Sequence, residues 1–228
     1  MLLRNRLFVR QEPSREAKSI YIFCEGKKRE YQYFQYFREM DSRINIEIYE
    51  LDQHEDNSPA GLLKIANESI ESSNAKYSFQ ENDEVWIVFD TDIDRDRSRD
   101  GQIHTVKMVC SKKPGWFVAE SNPCFEVWLY YHKFSENATF EDNETCAKWK
   151  EFVNNAFVGG FDSRRHPIFI KTAIKNAERN FMIIENRLTI GSTEVYKLAK
   201  NIYAILSKKI EDALEITSQI KSNSKSSV

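Results

Sequence analysis

The sequence has few cysteines, no long apolar run and almost no net charge. The four cysteines are Cys24, Cys110, Cys124 and Cys146, and none forms a C-x-x-C pair, which argues against zinc-knuckle and dithiol redox motifs. No apolar run reaches the roughly eighteen residues that a membrane span needs, and residues 1–9 are too broken for a signal-peptide core. We therefore expect a reduced cytoplasmic protein with structural thiols and no membrane contact.

The charges nearly cancel, with 33 Lys and Arg residues against 35 Asp and Glu residues. This balance gives no overall attraction to nucleic acid, although it permits a local basic face. The chain of 228 residues contains 41% hydrophobic residues. It is long enough for one large α/β domain or for a domain with an appendage.

Short apolar runs alternate with helical patterns over the first half of the chain. Strands are predicted at 18–24, 44–51, 84–89 and 116–119, and helices at 28–40, 59–70 and 103–111. This β-α-β-α-β-α-β order predicts an α/β fold with a four-stranded parallel sheet between helices. Only helical patterns follow, at 123–132, 143–156, 167–185 and 193–220. We expect an N-terminal arm (1–17), a catalytic domain (18–134), a helical extension packed on it (135–217) and a disordered tail (218–228).

Two of the predicted strands end on carboxylates. Glu25 follows the first strand, Gly26 permits a tight turn there, and Asp90 and Asp92 follow the third strand. Alternate residues of an extended segment point the same way, so the two aspartates can face one ion. If these strands are neighbours, the three carboxylates meet at one sheet edge and repel each other unless a cation binds. The pattern predicts a divalent-metal site formed by Glu25, Asp90 and Asp92.

Other polar residues are predicted near the same edge. Glu30, in the first turn of a helix, is a candidate metal ligand, an orienting residue or a partner of the helix dipole. Asn122 and Glu126 follow the fourth strand, where they either cap a helix or form the rim of the site. His132 ends an apolar helical stretch, where a structural role is favoured.

Basic residues flank both acidic stretches. Lys27 and Lys28 lie at a helix start, where cations are unfavourable unless they meet phosphate, and Arg95 lies in the second stretch. A calcium loop starting at Asp90 is excluded, because its sixth position is Arg95 and its twelfth is Gly101. Residues 94–100, including Arg99, are interpreted as a solvated, self-paired loop.

The order of these motifs resembles the RloB-like family of the Toprim superfamily. The matching segments are E-G-x-x-x-E (Glu25 to Glu30), V-W-x-V-F-D-x-D (Val85 to Asp92), S-N-P-C-F-E-x-W-L (Ser121 to Leu129) and S-T-x-V (Ser192 to Val195). The resemblance covers residues 18–206 and implies a Toprim-like sheet carrying a nuclease site. It also implies that Glu25, Asp90 and Asp92 bind Mg²⁺ or Mn²⁺.

The same resemblance implies the effector of a bacterial antiphage, or abortive infection, system. Its expected partners are a nucleic acid substrate and an ATPase of the AAA or ABC type, with a homo-oligomer also possible. Two other interpretations stay open at this point. One is a non-catalytic Toprim-like module that binds the ATPase, and the other is a primase-type nucleotidyl-transfer enzyme.

Overall fold

The computed structural model describes residues 8–91 and 98–225. The first half forms β1 (Lys18–Cys24), α1 (Arg29–Gln35), β2 (Ile44–Ile48), α2 (Pro59–Glu71), β3 (Glu84–Asp90), α3 (Ser98–Cys110) and β4 (Trp116–Ser121). The second half forms α4 (Glu126–Tyr130), α5 (Cys146–Ala156), a 3-10 helix (His166–Phe169), α6 (Ile170–Arg179), β5 (Ile183–Ile184), β6 (Arg187–Leu188) and α7 (Val195–Lys225).

Strands β1 to β4 form one parallel sheet in the order β2-β1-β3-β4. The sheet confirms the predicted fold class and is consistent with a Toprim-like fold. β1 and β3 are neighbours, with Cys24 opposite Val88, and β3 pairs with β4 so that Asp90 lies opposite Ser121. The carboxyl ends of β1, β3 and β4 therefore meet at one edge, where polar sites form in parallel sheets.

Helices cover both faces of the sheet, and side-chain alternation divides the core in two. Trp86 and Val88 of β3 belong to one cluster, which also contains buried residues of α1, α4, α5, α6 and α7. Val85, Ile87 and Phe89 of the same strand belong to the other cluster, with buried residues of α2 and α3. The strands are buried on both faces, which explains their continuous apolar sequences.

Three features of the C-terminal half differ from the sequence-based prediction. The helix predicted at 167–185 ends at Arg179, and a short antiparallel hairpin, β5-β6, follows it. Glu185 and Asn186 make its turn with φ values of 49° and 61°, which a helix excludes. Strands of two residues are too short to give a periodic pattern. Helix α7 continues to Lys225, past Ser218, where the disordered tail was predicted to begin.

No helix within residues 8–91 and 98–225 combines the length and the apolar character needed to cross a lipid bilayer.

Candidate functional site

Glu25 and Asp90 meet at the carboxyl edge of the sheet, as the adjacency of β1 and β3 requires. The Glu25 N–H extends the strand pairing by donating to Val88 O over 3.0 Å. The Asp90 N–H in turn donates to Glu25 Oε2 over 3.2 Å. The strand ladder itself therefore fixes the position of the Glu25 carboxylate.

Glu30 joins these two residues from the first turn of α1, where it is buried. Its carboxylate lies against the backbone of Gly26, since a Cβ atom built on Gly26 would be 1.8 Å from Glu30 Oε2. The backbone of Gly26 does not adopt a positive φ. The glycine is thus required for the close approach of Glu30, and not for the left-handed turn that glycine usually provides.

Glu126 and Asn122 come from the β4-α4 connection. Glu126 is buried in the first turn of α4, and Arg29 Nε lies 3.9 Å from its Oε1 atom. The side-chain amide of Asn122 donates to Leu188 O over 2.6 Å, and its Oδ1 atom accepts from Thr91 Oγ1 over 3.0 Å. Asn122 therefore braces the loop that follows Asp90, while Glu126 belongs to the acidic group itself.

The carboxylates of Glu25, Glu30, Asp90 and Glu126 are named here the acidic cluster, and the pKa values of Glu30 and Asp90 are raised within it. Burial, then Glu126 and Glu25, raise the pKa of Glu30 to about 7, against the opposing effects of a backbone hydrogen bond and Lys150. Burial, then Glu30, Glu25 and Glu126, raise the pKa of Asp90 well above its usual range. Mutual repulsion of this kind is relieved by protons or by a cation.

Arg99 provides one positive charge to the cluster, in disagreement with the solvated loop predicted for residues 94–100. The residue is buried, with 8% of its surface exposed, because α3 begins at Ser98 and turns it inward. Its Nη2 atom forms an ion pair with Glu25 Oε2 and donates to Asp90 O over 2.7 Å. A buried carboxylate without such a partner would be strongly destabilising, so Arg99 stabilises the edge of the sheet.

Lys150 provides a second positive charge from α5 and was not identified from the sequence. Burial lowers its pKa, but Glu126, Cys124, Cys146 and Asp90 outweigh that effect, and the pKa is raised overall. The side chain is exposed, and the influence of Glu126 and Asp90 on its pKa shows that it lies within electrostatic range of the acidic cluster. In the sequence, Lys150 resembles any surface lysine of an amphipathic helix. The sequence pattern therefore gives no indication that Lys150 lies near the acidic cluster.

The remaining predicted site residues lie around the cluster or outside the described residues. Asp92 and Arg95 fall outside them. Lys27 Nζ donates to Asp52 O, whereas Lys28 is exposed and makes no ion pair with the described part of the chain. His132 is buried between Tyr33 Oη at 3.0 Å and Trp128 O at 3.1 Å, and burial lowers its pKa to about 3. This environment fits the structural role that the sequence favoured.

The acidic cluster contains the type of donor atom that a hard divalent cation takes, but the described residues alone do not complete a set of ligands. Carboxylate oxygens are the ligands that Mg²⁺ and Mn²⁺ prefer, and the raised pKa values indicate a site short of positive charge. Within residues 8–91 and 98–225, no three Asp, Glu, His or Cys side chains are grouped closely enough to hold a metal ion. The predicted ligand Asp92 lies between those two ranges.

A family model described as RloB-like protein matches residues 20–202. Neither the curated proteins nor the solved structures contain a match to the chain. The matched segment includes the acidic cluster, Arg99, Lys150, the strands β2 to β4 and all but the first two residues of β1. Because this match spans well over half of the sequence, the chain belongs to the RloB-like family.

Proposed function

We propose that this protein is a nuclease that hydrolyses nucleic-acid phosphodiester bonds with Mg²⁺ or Mn²⁺. The observation that carries the proposal is the acidic cluster, four carboxylates brought together at the carboxyl edge of a parallel sheet by the end of β1, the end of β3 and the first turns of α1 and α4. Such a cluster costs stability through repulsion, so its presence favours a cation-dependent function. No Ser-His-Asp or Cys-His arrangement competes with it in the sequence.

Glu25, Asp90 and Asp92 are the residues proposed to hold the ion. When bound, the ion would polarise a phosphate oxygen and lower the pKa of an attacking water. Glu30, whose pKa is raised to about 7, is suited to exchange a proton through its carboxylate near neutral pH. The exposed Lys150 ammonium group, within electrostatic range of the cluster, is suited to contact the substrate phosphate.

Membership of the RloB-like family supports a wider proposal about biological role. In this proposal the nuclease is the effector of an antiphage system, and a partner ATPase of the AAA or ABC type keeps it inactive until phage is sensed.

A second candidate function is a non-catalytic module that binds the ATPase. Its support is the ion pair between Arg99 and Glu25, in which a guanidinium provides the positive charge that a metal ion would otherwise bring to this carboxylate. The described residues also lack a complete metal-ligand group. Both observations are expected of a Toprim-like domain that has lost its cation.

Cleavage assays separate the two functions. Purified protein is incubated with plasmid DNA and with total tRNA, in Mg²⁺, Mn²⁺ or EDTA, with and without a candidate partner ATPase. The variant Asp90→Asn is expected to lose at least about a hundredfold in rate, since even outer residues of metal sites cost ten- to a hundredfold. Glu84→Gln is the matched control, because Glu84 is a buried carboxylate at the opposite end of β3. Absence of cleavage in every condition, together with a stable ATPase complex, would favour the non-catalytic module.

A further inference from the structure

An open groove of about 1090 Å³ lies beside the acidic cluster. One wall is the outer surface of α1, and the other is the segment 159–164, which joins α5 to the 3-10 helix. Residues 8 and 10 close one end. The volume is at the upper limit of small-molecule sites, which measure about 300–1,000 Å³, and the groove is open along its length. These dimensions suit a segment of a polymer better than a metabolite.

The groove is positively charged, although the whole chain has a net charge of −2. Among its described lining residues, four are cationic and only Asp162 is acidic; the cations are Arg10, Lys28, Arg29 and Arg164. Lys28 makes no ion pair with the described residues, and Arg164 is 90% exposed while pairing with Asp162 at 3.1 Å. A local excess of positive charge of this kind attracts a phosphate backbone.

Aromatic rings also belong to the groove lining. Phe8, Tyr36 and Phe161 line the groove, and the partly exposed ring of Phe8 meets that of Tyr36 edge-on at 5.8 Å. Proteins that bind single strands combine a basic groove with aromatic rings on which unpaired bases stack. A duplex keeps its bases stacked on each other, so it would leave such rings unused.

Arg29 connects the groove to the acidic cluster. Its Nη2 atom donates to Asn154 Oδ1 in the groove wall over 2.9 Å, while its Nε atom lies 3.9 Å from Glu126 Oε1. The groove therefore adjoins Glu126, one member of the acidic cluster, through Arg29.

We propose that the groove binds a single-stranded segment of DNA or RNA and presents its backbone to the acidic cluster. Binding in the groove stands on its charge and its aromatic rings. Delivery to the cluster rests on the proposed nuclease function. The inference narrows the substrate class to nucleic acid whose bases are unpaired at the cleavage position.

Fluorescence anisotropy of the full chain in EDTA tests the binding without requiring any metal. The probes are labelled single-stranded DNA and RNA oligonucleotides and duplexes of equal length. The double variant K28A/R164A is expected to weaken single-strand binding and to reduce the slope of log affinity against log salt by about 1.4, at about 0.7 for each phosphate contact. The matched control is K64A/K112A, which removes two exposed lysines on α2 and just after α3, on the opposite sheet face.

The variant Phe8→Ala tests the stacking. It is expected to lose about fivefold or more in affinity for single strands, because a base stacked on an aromatic ring loses at least that much on alanine substitution. Duplex binding is expected to stay unchanged. Equal affinity for duplex and single strand, no binding, or an equal loss in the K64A/K112A control would overturn the proposal.

The outcomes also separate this inference from the proposed function. Single-strand binding through the groove, without cleavage in the presence of any metal, would support the binding proposal and contradict the proposed nuclease function. Metal-dependent cleavage that K28A/R164A and Phe8→Ala leave unchanged would support the nuclease function and contradict the proposed role of the groove.

Discussion

Replacing Glu30 with glutamine removes a carboxyl group whose pKa is raised in the folded protein from 4.5 to about 7. Because the folded pKa is the higher one, the folded state binds the proton more tightly. Without metal, Glu30 therefore costs no stability below about pH 4.5, and the cost grows as pH rises to about 7. At about 1.4 kcal/mol for each pKa unit, the full cost is about 3 kcal/mol.

The prediction concerns the difference between wild type and Glu30→Gln. Burial lowers the pKa of His132 to about 3 and also lowers that of His166, so both histidines make the protein more stable as pH rises through their unfolded value. That effect opposes the effect of Glu30 in the wild-type profile, but it is common to both proteins and cancels in the difference. We expect Glu30→Gln to gain about 2–3 kcal/mol over wild type between pH 5 and pH 8 in EDTA.

Urea unfolding in EDTA at pH 5, 6, 7 and 8 measures this difference. The exposed residue Glu215 on α7 provides a control, since Glu215→Gln is expected to follow the wild-type profile. Adding Mn²⁺ at pH 8 should stabilise wild type by more than it stabilises Glu30→Gln, because the cation replaces protons in relieving the repulsion. A difference between wild type and Glu30→Gln that stays constant from pH 5 to pH 8 would refute the electrostatic account of the cluster.

Two further variants test how the site is built. Arg99→Gln leaves Glu25 without its guanidinium partner and is expected to destabilise the metal-free protein by about 3 kcal/mol. Mn²⁺ is expected to stabilise this variant more than it stabilises wild type. Thermal unfolding with and without Mn²⁺ measures both effects, and unchanged stability would contradict the role of the ion pair. Gly26→Ala places a Cβ atom on the Glu30 carboxylate and is expected to weaken Mn²⁺ binding, measured by calorimetry, at least about tenfold. In the control Gly101→Ala the new Cβ atom meets nothing within 4 Å, so Mn²⁺ binding is expected to be retained.

The parallel sheet and the meeting of Glu25 with Asp90 were predictable from the sequence. Strands buried on both faces have continuous apolar sequences, and the carboxyl ends of adjacent parallel strands share an edge. Local sequence patterns were therefore enough to predict that these two residues lie at a shared sheet edge. The sequence placed Glu30 near this edge as one of several possibilities. Only the folded structure shows that a side chain larger than that of Gly26 would collide with the Glu30 carboxylate.

Arg99 and Lys150 were not predictable, because long-range packing decides their roles. The role of Arg99 depends on its register on α3, whose start at Ser98 the sequence pattern placed five residues later. Lys150 reaches the cluster only after α5 packs against α4. The short hairpin after α6 was missed because two-residue strands have no detectable period.

The rate of phosphodiester cleavage as a function of Mn²⁺ concentration tests the central claim most directly. We expect no cleavage in EDTA, a rate that saturates as Mn²⁺ is added, and loss of that rate in Asp90→Asn but not in Glu84→Gln. Cleavage that persists in EDTA, or that Asp90→Asn retains at the wild-type rate, would contradict a metal-dependent site at the carboxyl edge of the sheet.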